Sequence, residues 1–186
     1  MAELDRPIWI HPIRGPDTAD YKTETGSLHE LWFTFGWPYE TSACMTRLIY
    51  SGLFDKLPDI KIITHHFGGM IPFFAEKIGI GFQQIFRGDN EHNPLAEQAG
   101  LKQQPKEYFK MFYADTATNG SRAAAQCGLD FFGADHSLFA TDAPFDPEGG
   151  TMLIRETINA VDGLDIDAAT REKIYGGNLE RLLKLA

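Results

Sequence analysis

The chain is poor in cysteine, has no basic excess and contains no long apolar run, and each shortage removes a class of function. Cys44 and Cys127 are the only two cysteines in 186 residues, and neither has a CxxC or CxH companion. That argues against a disulfide framework and a thiolate zinc site, and it makes a reducing, cytoplasmic setting the expectation. Lysine and arginine number 17 against 26 aspartates and glutamates, a net charge of −9. No local Lys/Arg cluster offsets that balance, so nucleic acid is not an expected partner. No stretch of about 18 apolar residues occurs, and the acidic N-terminus lacks the basic-then-apolar order of a signal peptide. A soluble, unexported protein without a membrane partner follows. There is also no GxGxxG or P-loop, and Gly68-Gly69 is too short a glycine run to cradle a phosphate.

What remains is an ordinary globular balance, 43% hydrophobic and 23% charged, over a length that suits a single domain, 1–186. Residues 1–6 read as the last turn of a helix and run into a strand over 7–11, which ends at His11-Pro12. A polar loop over 13–36 turns aromatic at Leu31-Trp32-Phe33; loops of that length usually serve as lids or binding loops. Residues 40–54 suit a helix with Ala43, Leu48, Ile49 and Leu53 on one face. The β-branched run 60–66 reads as a strand, and Gly68-Gly69 lets the backbone turn into a helix over 71–86. A polar stretch, 87–105, shows no element of its own. A third strand, 111–115, ends in Asp115, and a short Ala-rich helix follows over 120–128. The fourth strand, around Leu138-Phe139-Ala140, delivers Asp142 into a loop closed by Pro144. Helices over 152–161 and 167–185 complete the chain, the last broken at Gly176-Gly177 with Asn178 capping its second piece.

Four strands, each followed by helix, call for a parallel α/β sheet. A closed eight-stranded barrel needs about 250 residues, so four strands are half of one. His11, His66 and Asp142 all sit just past an apolar strand, where parallel sheets and α/β barrels keep their chemistry. Imidazole and carboxylate together suit zinc, manganese or iron(II). Blander readings stand beside this one: His65-His66 as a surface pair, His11-Pro12 as a strand end, Asp142 as a turn residue before proline. His29, His92 and His136 lie in polar loops and read as solvated. Asp115 reads first as a partner orienting an imidazole, then as a ligand or a helix cap.

Four blocks in order add a resemblance: Ile10-His11-Pro12, the run from His66 to Phe73, the run from Leu138 to Phe145, and the run from Gly177 to Leu183. Together they resemble the amidohydrolase-related family of the metal-dependent amidohydrolase superfamily, whose members include aminocarboxymuconate semialdehyde and resorcylate-type decarboxylases. The resemblance implies a (β/α)8 barrel of which this chain is the C-terminal half, strands five to eight. It implies that His11 and Asp142 are metal ligands, that Asp142 also handles protons, and that His66 is the catalytic acid or base beside the metal. It gives His65 no role. Phe145 resembles an aromatic that packs on the substrate ring, and Trp32 and Phe33 extend that aromatic lining. The implied cofactor is a divalent metal, zinc first and manganese second. The implied substrate is a small aromatic or unsaturated carboxylate, processed by non-oxidative decarboxylation or by hydrolysis.

The family's first strand carries a His-x-His or Glu-x-His pair, and no such motif occurs here. The expectation is therefore a half-barrel whose metal binding is weak or absent in isolation. The competing reading is a catalytically inactive half-barrel that self-associates. Either way, open strand edges call for a homodimer or higher oligomer. If the site is real, His11, His66 and Asp142 converge within roughly 8 Å at one end of the sheet.

Overall fold

Four short runs pair side by side: β1 (Ile8–Trp9), β2 (Ile62–Thr64), β3 (Tyr113–Asp115) and β4 (Ser137–Leu138). The structure, a computed structural model, describes residues 1–86 and 94–185. All neighbouring strands are parallel and lie in chain order, β1-β2-β3-β4. Ile8 stands beside Ile62, Ile63 beside Tyr113, and Ala114 beside Ser137. Sequential parallel strands with helical crossovers are the arrangement of half an eight-stranded α/β barrel. The strands are shorter than the apolar runs that encode them, because pairing stops where the chain turns toward the site.

The helices refine the sequence reading. The 13–36 loop contains α1 (Leu31–Thr34), and α2 (Gly36–Tyr50) begins earlier than expected. Gly52, at φ 71°, separates α2 from α3 (Leu53–Lys56). The buried stripe of α2 is Thr41, Met45 and Ile49, an i, i+4, i+8 row, with Leu48 and Leu53 only flanking the core. Beyond α4 (Ile71–Phe86), the stretch expected to have no element of its own, 87–105, holds α5 (Pro94–Gln98) among its described residues, and α6 (Pro105–Phe109) begins at its end, started by proline at its first position. His92 lies outside the described residues. Next, α7 (Arg122–Phe132) is capped by Ser121, whose Oγ accepts from the Ala124 amide at 3.3 Å. Among the described residues, no helix is long and apolar enough to cross a membrane.

The C-terminal segment departs most from expectation. After α8 (Thr151–Asp162), α9 (Ala168–Glu172) is capped by Asp167 as expected, its carboxylate accepting from Thr170 N at 2.7 Å. Gly176-Gly177 does not break the helix: a π-turn, Lys173–Gly177, joins α9 to α10 (Asn178–Leu183). Asn178 is no cap. It is fully buried, and its Nδ2 donates to the carbonyls of Ala134 and Ser137 at 2.7 and 2.8 Å. The π-turn also leaves the Ile174 carbonyl free to accept from Phe139 N at 3.0 Å, so the outer edge just past β4 is covered. No described strand pairs with the outer side of β1, where Trp9 is half exposed.

Met45, Ile49, Phe54, Ile62, Phe109 and Phe112 pack under the sheet, each contributing about 1.5–3 kcal/mol by burial. Phe67 joins them from the turn after β2. Its ring lies against Gly128 of α7, where a Cβ would stand 2.2 Å from Phe67 Cγ. Gly128→Ala gains about 1 kcal/mol of helix propensity but forces that ring off its seat, an overpacking cost of about 1–3 kcal/mol or more. The expected outcome is a lower urea midpoint with an unchanged slope. An unchanged midpoint would show that the Phe67 seat is not tight.

Candidate metal centre

All the groups of interest lie just past the C-terminal ends of the strands. His11 follows β1, and its Nδ1 donates to the Pro12 carbonyl at 2.5 Å, because a carbonyl can only accept. Its ring meets Trp37 edge-on at 5.1 Å and lies 5.0 Å from the ring of His65. His65 and His66 follow β2, and Asp115 closes β3.

The chain turns sharply after β2: His66, Phe67, Gly68 and Gly69 have φ of 50, 47, 73 and 62°. Such values are uncommon for residues with a Cβ and persist only where surroundings enforce them. Here His66 N donates to Asp115 Oδ1 at 2.9 Å, Phe67 is pinned beneath α7, and Gly69 approaches so closely that a Cβ would stand 2.5 Å from the Pro38 carbonyl oxygen. Asp142 is also left-handed, at φ 64°.

Asp115 is completely buried. Its Oδ1 accepts from the amides of His66 and Ala117, and its Oδ2 accepts from His65 Nδ1 at 2.6 Å. Asp142 Oδ1 lies 3.5 Å from His65 Nε2, and Oδ2 lies 3.9 Å from His66 Nε2. Donor atoms of His65, His66 and Asp142 all fall within 4.8 Å of one another. Burial pushes the Asp142 carboxyl up, but the contact with His65 and the positive potential of His66, His65 and His11 prevail and hold it below its usual range. Burial, reinforced by His65, lowers His66. Burial also pulls His65 down, yet Asp115 and Asp142 outweigh it and raise the imidazole to about 9.

Two imidazoles and a carboxylate at this spacing, with a third imidazole beside them, fit a divalent metal. The cluster opens into a cleft of about 750 Å³, within the range of small-molecule sites. Trp32, Phe33 and Phe145 line it, as do His11, His66 and Asp142. Trp37 belongs there too, packed edge-on against Trp32 at 5.4 Å and Phe33 at 5.8 Å. Sequence reasoning missed Trp37, although its spacing from Trp32 and Phe33 is close to one helical turn. It also missed His65, which sits in the tightest part of the cluster. His136, expected in solvent, is instead a structural group at the other end of the sheet: Nδ1 donates to Lys110 and Phe112 carbonyls, and the ring stacks on Tyr113 at 4.5 Å. His29 is exposed, as expected.

The family described as amidohydrolase matches residues 1–185. Among curated proteins, the chain is 31% identical to the gamma-resorcylate decarboxylase of Polaromonas sp. strain JS666, over 98% of this chain and 52% of that protein. Among solved structures, it is similar to a dihydroxybenzoic acid decarboxylase from Polaromonas sp. JS666 with bound manganese and the inhibitor 2-nitroresorcinol, at TM-score 0.72 and 27% identity over 99% of this chain and 51% of that one. It is likewise similar to 2,6-dihydroxybenzoate decarboxylase from Rhizobium, at TM-score 0.76 and 28% identity over 99% and 53%. The chain spans about half the length of the curated relatives it matches.

A raised imidazole links protonation to stability in the metal-free protein. With His65 at about 9 when folded against an ordinary 6.5, its contribution is complete below 6.5 and is lost as pH rises through 9. In chelator, the urea midpoint should therefore fall across that window, and His65→Gln should flatten the fall. A wild-type midpoint that is level across the window would mean that His65 is not held as an imidazolium.

Proposed function

The chain belongs to the amidohydrolase family, and from that premise we propose that it carries the metal-holding and proton-transfer side of a decarboxylase acting on a small aromatic carboxylate. Its four strands are strands five to eight of a (β/α)8 barrel. The observation that carries the reading is the gathering of His65, His66 and Asp142 within 4.8 Å beside an aromatic cleft. The flat walls contributed by Trp32, Phe33 and Phe145 favour ring decarboxylation over hydrolysis.

The site would hold manganese or zinc through Asp142 and the imidazoles around it, His11 among them, and the bound cation would supply positive charge to the substrate's carboxylate or a neighbouring hydroxyl. His66 donates Nδ1–H to the Ala117 carbonyl, so its Nε2 carries the exchangeable proton. Burial lowers its pKa, which makes the protonated ring a strong donor. Nε2–H passes its proton to the ring carbon that bears the carboxylate. The carbon–carbon bonding pair stays in the ring, aromaticity returns and CO2 leaves. Asp142, ionised and 3.9 Å from that nitrogen, is placed to relay the replacement proton.

The test is CO2 release from 2,6-dihydroxybenzoate and other hydroxybenzoates by the metal-loaded chain. Asp142→Asn and His66→Gln should each lower turnover by about 100-fold or more. No CO2 from any of these acids with the wild-type chain would sink the reading.

We also propose that copies of the chain associate along the β1 side. No described strand pairs with that edge, Ile13 beside it is 87% exposed, and an apolar groove of about 520 Å³ runs between β1 and α2 past Ile10, Ala43 and Leu48. Light scattering across a dilution series should give a dimer or larger, and Trp9→Lys should shift it toward monomer. A wild-type monomer at micromolar concentration would mean that the chain covers this edge itself.

A further inference from the structure

The decarboxylase reading leaves open which of the two adjacent imidazoles beside Asp142, His65 or His66, holds the metal. The tautomer of His65 is set by Asp115. Both hydrogen bonds to Asp115 Oδ1 come from backbone amides, and Oδ2 accepts from His65 Nδ1 at 2.6 Å, so Nδ1 bears a proton and Nε2 is the atom left to hold either a second proton or a metal. That Nε2 is buried and, among the described residues, has no hydrogen-bond partner, on a side chain only 11% exposed. It faces Asp142 Oδ1 at 3.5 Å. Opposite a carboxylate oxygen, that nitrogen needs a cation between them: a proton in the metal-free chain, a metal in the loaded one.

The spacing suits such a cation. Bonds of about 2.0–2.2 Å at tetrahedral angles put two donors about 3.3–3.6 Å apart. The chain carboxylate–imidazole–metal, with a buried acid on the far ring nitrogen, is also the usual way proteins aim a histidine ligand. We infer that His65 Nε2 is a ligand of the divalent metal, aimed by Asp115 and paired with Asp142. This rests on the metal-dependent reading above. The two adjacent histidines then divide the work: His65 holds the cation, and His66, whose Nε2 lies 3.9 Å from the other Asp142 oxygen, stays free to move a proton. With His11 beside them, the site draws its donors from β1, β2 and β4 of this chain alone.

The test is direct metal binding. Equilibrium dialysis with Mn²⁺ and Zn²⁺ is run on the wild-type chain, His65→Gln and Asp115→Asn, with circular dichroism to confirm folding. Wild type should hold close to one metal per chain, where the sequence alone, giving His65 no role, pointed to weak or absent binding. Asp115→Asn should weaken binding by about 10–100-fold, the usual effect of removing such a partner, and His65→Gln by at least as much. Should His65→Gln fail to fold, the wild-type Co²⁺ form labelled with ¹⁵N-histidine decides: the Nδ1–H of His65 should be strongly hyperfine-shifted. Wild-type affinity in folded His65→Gln, an unshifted His65 signal, or a wild-type chain that holds no metal would each overturn the assignment. Metal held through His65 without CO2 release would instead overturn the decarboxylase reading and leave this assignment standing.

Discussion

The buried carboxylate of Asp115 is the constraint on which the rest of the site depends. One oxygen holds the His66 and Ala117 amides, and the other holds the His65 ring, so a single side chain on β3 fixes both the backbone and the first imidazole at the end of β2. Hydrogen bonds to a charged acceptor are about twice as strong as neutral ones. Leaving such a group unpaired costs about 1–3 kcal/mol or more. The two strands are neighbours in the sheet, with Thr64 beside Ala114, so their pairing places acid and imidazole within reach.

That constraint is matched by a tight turn. The positive φ at His66 and Phe67 costs about 1–3 kcal/mol each, and the Phe67 ring seated against Gly128 supplies compensating burial. The aromatic wall has a similar origin. Trp37 is held by its Nε1 donating to the Arg14 carbonyl at 3.0 Å, and Glu40 accepts from the amides of Ile13 and Arg14, so the loop after His11 is stapled to α2. The same helix carries buried Met45 and Ile49 into the core. Packing that stabilises the sheet therefore also sets the position of the cleft.

Much of this was legible in the residues themselves. Apolar runs of strand length, glycines at turns and the alternation of strand with helix determined a parallel α/β sheet, because backbone propensity and burial period act over a few residues. Strand ends marked His11, His66 and Asp142 as candidates, and the four sequence blocks named the family. Only the tertiary structure decided the rest. In a strand, adjacent side chains point to opposite faces, so sequence periodicity admits one of His65 and His66 to the site. The left-handed turn at His66 breaks that alternation and brings the two rings within 3.8 Å of each other. Asn178 reads as a helix cap locally, yet its side chain bonds carbonyls more than 40 residues away. Its role, like those of His65 and Trp37, depends on contacts between distant segments, and such contacts exist only once the sheet has paired and the helices have packed.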